Sequence, residues 1–117
     1  MSGVVRGATE DTAADATDDR GRLRSLPRPD RPTALLEIVC AEIRTALLMD
    51  EDEYLATDQS MFELGLSSLL AVEVLERLAE RLGCTVSSTA LFSYPTVAGF
   101  SDFLGSTVMP DLFGARP

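Results

Sequence analysis

The chain contains no histidine among its 117 residues, so the serine–histidine pair that activates most hydrolase nucleophiles is excluded. It has two cysteines, Cys40 and Cys84, with forty-three residues between them and without a CxxC pair. With no imidazole to help, a zinc site on both thiols would need two carboxylates to complete it, and no metal site is expected. No secretory leader is evident to place the pair in an oxidising compartment. Cys40 therefore reads as a small buried hydrophobe or helix-flank residue, and Cys84 as an ordinary residue after a helix stop. No apolar run reaches the roughly eighteen residues that suggest a membrane-spanning helix. No membrane span is expected, and the cytoplasm is the expected compartment.

Basic residues are scarce where they would count. Between Thr33 and Leu104 twelve carboxylates face only Arg44, Arg77 and Arg81, so the whole net charge of −9 falls in this segment and the flanks cancel. Such a surface is repelled by nucleic-acid phosphates and anionic headgroups, which argues against both as natural partners. It is drawn instead toward basic patches on other proteins, although the same charge also serves solubility. The body is about seventy residues, near the lower limit for a domain without staples and too small for a large internal cleft.

Residues 1–31 have no apolar periodicity and include Pro27 and Pro29; they read as a disordered leader or linker. A first helix is expected from a Thr33 cap to Met49 or Asp50, with Leu35, Leu36, Val39, Ile43, Ala46 and Leu47 on its apolar face. The acidic stretch 50–66 follows as a long loop, anchored by Phe62 and Leu64 and turned tightly at Gly65. Leu69, Val72, Leu75, Leu78, Ala79 and Leu82 then recur at helical spacing, with Glu73, Glu76, Arg77, Glu80 and Arg81 between them and Gly83 as the stop. Beyond a Ser- and Thr-rich loop, Thr89 is placed to cap a short turn through Phe92. Thr96 is placed to cap a last helix carrying Val97, Phe100, Phe103 and Leu104, ended by Gly105. The domain is thus expected at 32–105, with 106–117 as a flexible tail or linker.

Ser67 and Ser68 stand where that central helix begins, beside backbone N–H groups with no intrahelical acceptor. A hydroxyl there can cap the helix or be presented to solvent. Gly65-Leu66-Ser67-Ser68-Leu69 is not the Gly-x-Ser-x-Gly elbow of hydrolases. Catalysis by the serine is therefore not expected.

The motif residues Phe62, Leu64, Gly65, Ser67, Ser68 and Leu69, then Ala71-Val72-Glu73-Val74, then Gly83, then Phe92-Ser93-Tyr94-Pro95-Thr96 together resemble those of acyl carrier proteins and the carrier domains of modular polyketide synthases. The likeness runs in register from about Leu35 to Leu104. It implies an all-α fold, a small four-helix bundle of three main helices and one short one. It also implies that Ser68 is the attachment serine for a 4'-phosphopantetheine arm taken from coenzyme A, with Gly65, Ser67 and Leu69 in support. The chain would then be a non-catalytic carrier of polyketide intermediates held as thioesters, and a substrate of a phosphopantetheinyl transferase. Ketosynthase, acyltransferase and other synthase domains would be its partners, docking on Leu66, Leu70, Glu73, Val74, Glu76 and Arg77, and the isolated domain is expected to be monomeric. The family usually has Asp where this chain has Ser67, which keeps the cap and loses the charge. A peptidyl carrier of nonribosomal synthesis and an unmodified helical interaction module are the alternatives. The former usually has a second glycine where Leu66 stands.

Overall fold

The computed structural model describes residues 19–87 and 89–113. In chain order its helices are α1 (Asp19–Ser25), α2 (Arg31–Ala46), α3 (Ser68–Leu82), α4 (Ala90–Ser93), α5 (Val97–Phe103) and α6 (Pro110–Phe113). A 3-10 turn at Arg28–Asp30 joins α1 to α2, and a π-helical turn at Leu104–Val108 joins α5 to α6. The fold is all-α: α2, α3 and α5 form the main bundle and α4 is the short fourth helix. An isolated bridge between Ser60 and Thr96 is the single β pairing among the described residues.

Helix α2 packs on both α3 and α5. Its Leu35, Val39 and Ile43 meet Ala71, Val74, Leu75, Leu78 and Leu82 of α3 and Val97 and Phe100 of α5 in one buried cluster. Each fully buried large aliphatic or aromatic side chain contributes about 1.5–3 kcal/mol. Pro32 occupies the first turn of α2, where its missing N–H costs nothing. Thr33 therefore lies inside the helix and is not its cap. At the other end Leu48 N–H donates to Thr45 O and Met49 N–H to Arg44 O, a Schellman closure that puts Leu48 at φ +61°. The helix accordingly stops at Ala46, short of Met49.

The apolar stripe of α3 differs from the one its spacing suggests. Ala71, Val74, Leu75, Leu78 and Leu82 are buried, whereas Leu69 is 69% exposed and Val72 38%. At about 100° per residue, Val72 and Leu69 lie about 100° and about 160° from the centre of the buried stripe. Gly83, at φ +61°, ends the helix, and both its own N–H and that of Cys84 return to Ala79 O. Arg81, expected on the charged face, is instead held between Asp19 Oδ2 at 2.6 Å and Glu42 Oε2 at 2.8 Å.

Both flanks depart from expectation. Residues 19–31 fall in the segment expected to be a leader, yet they form α1, the 3-10 turn and the start of α2, and Leu23 of α1 is 1% exposed. Residues 106–113 fall in the expected tail, yet Met109 is 0% and Leu112 2% exposed. Gly105 does not end the final helix; the chain winds on through the π turn, closed by Met109 N–H on Leu104 O. A Cβ at residue 105 would stand 3.1 Å from Phe113 Cγ, so this glycine makes room for the returning chain. Residues 1–18 and 114–117 of the expected leader and tail lie outside the described residues. Cys40 is buried and Cys84 half-buried, both as free thiols. Burial raises both thiol pKa values, and Arg20 only partly opposes this at Cys84.

Candidate carrier site at the start of helix α3

The loop that delivers the chain to Ser68 is fastened to the segment around Tyr94-Pro95-Thr96. Met61 N–H donates to Pro95 O at 2.8 Å, and Ala98 N–H donates to Thr57 O at 2.9 Å. Phe62 stacks on Phe92 with ring centroids 5.1 Å apart, an offset-stacking distance that favours the pair. Thr96 caps α5 by accepting from Gly99 N–H at 3.0 Å. The Phe62-Glu63-Leu64-Gly65 and Tyr94-Pro95-Thr96 motifs, distant in sequence, are thus two halves of one clamp.

Within the loop, Leu55, Met61 and Leu66 are the deeply buried anchors, while Phe62 and Leu64 are only partly buried. Leu66 N–H donates to Met61 O at 3.0 Å, which turns the Leu66 side chain inward. Gly65 makes the turn between these two at φ +118°, a conformation that an L side chain resists. The next two residues are the hydroxyls. Ser67, extended at φ −88° and ψ 168°, caps α3 by accepting from Leu70 N–H at 3.2 Å. Ser68 is the first residue of the helix and is exposed.

The Ser68 hydroxyl makes no hydrogen bond among the described residues, and the Ser68 and Leu69 amides have no acceptor there either. A free hydroxyl beside two open N–H groups at the positive end of a fifteen-residue helix suits a phosphodiester oxygen. The residues present therefore fit a phosphate-linked arm. Ser67 contributes the cap and no charge, so the end of the helix keeps its full positive character toward an incoming phosphate.

The expected docking residues separate into two sets. Leu66 is 3% exposed and Val74 0%, so both belong to the core and are removed from the contact surface. For Val74 the reason is its place in the α3 stripe; for Leu66 it is the inward turn after Gly65. Glu76 and Arg77 are exposed, and Glu73 and Leu70 are half-buried; Arg77 lies 3.8 Å from Glu73. Leu69 and Val72 are the exposed large apolar side chains of α3. A shallow groove of about 230 Å³ begins at Val72 and runs away from the serine toward Ala79, Cys84 and Val86.

Residues 34–104 match the family model described as the phosphopantetheine attachment site. The chain belongs to the phosphopantetheine-attachment family. It is a carrier domain with no catalytic role of its own, and 4'-phosphopantetheine is the cofactor of its family. A phenolphthiocerol/phthiocerol polyketide synthase of Mycobacterium tuberculosis is 35% identical over 105 residues, covering 90% of this chain and 7% of the relative. The spectinabilin polyketide synthase system protein NorA' of Streptomyces orinoci is 34% identical over 99 residues, covering 85% of this chain and 3% of the relative. The carrier domain thus spans less than a tenth of the length of these curated relatives. Among solved structures, the A1-type ACP domain from module 5 of MLSA1 superposes with a TM-score of 0.66 at 25% identity, covering 79% of this chain and 91% of that one. The HMG-ACPI domain from the CurA module of Lyngbya majuscula shares the fold, with a TM-score of 0.59 at 23% identity over 71% of this chain and 78% of that one.

Proposed function

We propose that Ser68 is the residue to which the 4'-phosphopantetheine arm is attached, and that the domain carries polyketide intermediates for a bacterial polyketide synthase. The observation that carries this reading is the exposed, unbonded Ser68 hydroxyl at the first position of α3, inside the family-matching segment. When bound, the arm supplies a thiol that holds an acyl group as a thioester. The chain's own residues present and do not activate: the chain has no histidine and no described side chain is hydrogen-bonded to the Ser68 hydroxyl, so a phosphopantetheinyl transferase would take the Ser68 proton and supply the metal. The open amides of Ser68 and Leu69 would be available to the phosphate, the Ser67 cap holds the first turn, and the Phe62–Phe92 stack keeps the loop in register.

The partners of this reading are the transferase and then ketosynthase, acyltransferase and other synthase domains, met in the cytoplasm. They would approach the strip of α3 formed by Leu69, Val72, Glu73, Glu76 and Arg77, with Leu70 at its edge. Its carboxylates favour partners with basic rims, and its two exposed aliphatic groups supply the desolvated centre such contacts need. Among the described residues no helix is long and apolar enough to cross a membrane.

The test is intact-mass analysis of the full chain after treatment with a broad-specificity phosphopantetheinyl transferase and coenzyme A, followed by loading with a malonyl-type extender through a polyketide acyltransferase. One arm and then one acyl group are expected. An unmoved mass with several transferases would leave Ser67 as the cap and Ser68 as a first-turn residue of an unmodified helical module. Charging by an amino-acid-activating domain in place of the acyltransferase would favour peptidyl carriage.

A further inference from the structure

Arg31 opens α2 outside the family-matching segment, and its guanidinium is spent on three backbone carbonyls. Nε donates to Leu26 O at 3.0 Å, Nη2 to Arg24 O at 2.7 Å and Nη1 to Leu112 O at 2.7 Å. The first two acceptors close the C-terminal end of α1 and the third closes α6, so one side chain caps two helices from opposite ends of the chain. A second link runs beside it. Arg20 Nη2 grips both carboxylate oxygens of Asp111 at 3.0 and 2.8 Å, and Arg24 lies 3.7 Å from the same group. Leu23 and Leu112 are the apolar anchors beneath, at 1% and 2% exposure.

We infer that α1 and α6 form a single clasp, pinned by Arg31, that opens and closes as one unit apart from the bundle core. A cleft of about 410 Å³ lies between α1 and α2, lined by Asp19, Leu23, Leu26, Ala34, Ile38 and Arg81 among others, and Leu23 is the single buried apolar side chain of α1. Polar links therefore carry much of its attachment. The clasp is fixed to α3 through Asp19 and Arg81, thirteen residues beyond Ser68 on that helix, which places it about 20 Å away along the axis at about 1.5 Å per residue. The described parts of the two flanks, 19–31 and 106–113, are thereby joined to each other away from the serine end of α3.

The experiment is hydrogen exchange, read by mass spectrometry, on the full chain and on its Arg31→Lys and Asp111→Asn variants. Lysine keeps the charge but cannot fork to three carbonyls. Exchange at 23–26 and at 109–113 should rise together in Arg31→Lys, by about ten-fold or more for lost charge-assisted hydrogen bonds, with 39–43 in the centre of α2 unchanged. Asp111→Asn should loosen both flanks in the same direction by less. Loosening of one flank alone, no change in either, or equal loss of protection at 39–43 would each overturn the clasp. None of these readouts depends on the arm, so they stand or fall apart from the role given to Ser68.

Discussion

Replacing Arg81 by methionine removes the guanidinium that ion-pairs α3 with both α1 and α2. Asp19 is 1% exposed and would lose its 2.6 Å contact, keeping only Arg22 at 2.9 Å. Glu42 would lose its partner on Oε2 while its Oε1 is already buried without one among the described residues. Burial by itself lowers the Arg81 pKa, but the hydrogen bonds to Glu42 and Asp19 outweigh it and the net shift is upward, so the guanidinium is charged at every accessible pH. Breaking a buried ion pair from one side costs about 3–5 kcal/mol. Arg81 is 27% exposed and Glu42 12%, so water shares the load and the low end, about 3 kcal/mol, applies. That corresponds to a fall in Tm of about 12–24 °C for a domain of this size. Urea denaturation followed by far-UV circular dichroism at neutral pH measures it. The triple variant Arg81→Met, Asp19→Asn, Glu42→Gln should recover a large part, because no uncompensated charge is then left inside. A loss below about 0.5 kcal/mol in the single variant would place it among ordinary surface substitutions and refute the reading that this network binds α1 to the body.

Ser67→Ala should cost about 1 kcal/mol by leaving Leu70 N–H without its acceptor, while Ser67→Asp should retain the cap and gain from the helix dipole; thermal melts of the two separate capping from charge. Leu48→Gly should stabilise the protein by about 1 kcal/mol in equilibrium unfolding, because Leu48 is 92% exposed at φ +61° and its side chain does little to repay the left-handed backbone. Desolvation acts to raise the Asp111 pKa, but Arg20 outweighs it and the folded value is lowered. The contribution of that pair is therefore complete above the unfolded pKa of about 3.9 and is lost as pH falls through the lower folded value. The protection factor at 109–113, which removes the pH dependence of intrinsic amide exchange, should fall there and stay flat at neutral pH.

The number and order of the main helices follow from apolar spacing and stops, because Gly83 and the Tyr94-Pro95-Thr96 restart are local signals whose physics needs no tertiary partner. Ser67 as a cap and Gly65 as a turn are legible for the same reason. The rotation of α3 is not, since Leu69 and Val72 satisfy helical spacing as well as Ala71 and Val74 do. Only the meeting with α2 and α5 selects between the two stripes, although the run Ala71, Val74, Leu75, Leu78, Leu82 already holds the fuller pattern. Leu66 is ambiguous in sequence because its direction depends on the turn geometry at Gly65. The flanks are hidden for a different reason. Leu23 is one leucine in an arginine-rich stretch, and the contacts of Asp19 and Arg31 reach across sixty-two and eighty-one residues, so no local window contains them. Similarly, the pairing of Phe62 with Phe92 and of Met61 with Pro95 explains why two separated motifs belong together, which spacing alone does not reveal.

The carrier role rests on where an added group is found. Tandem mass spectrometry of the transferase-treated full chain, read across the peptide that spans Gly65 to Leu69, tests this most directly. The arm is expected on Ser68, with Ser67 unmodified and with no modification in the Ser68→Ala protein. Localisation to Ser67, persistence of the modification in Ser68→Ala, or an unmodified peptide from the wild-type chain would contradict it.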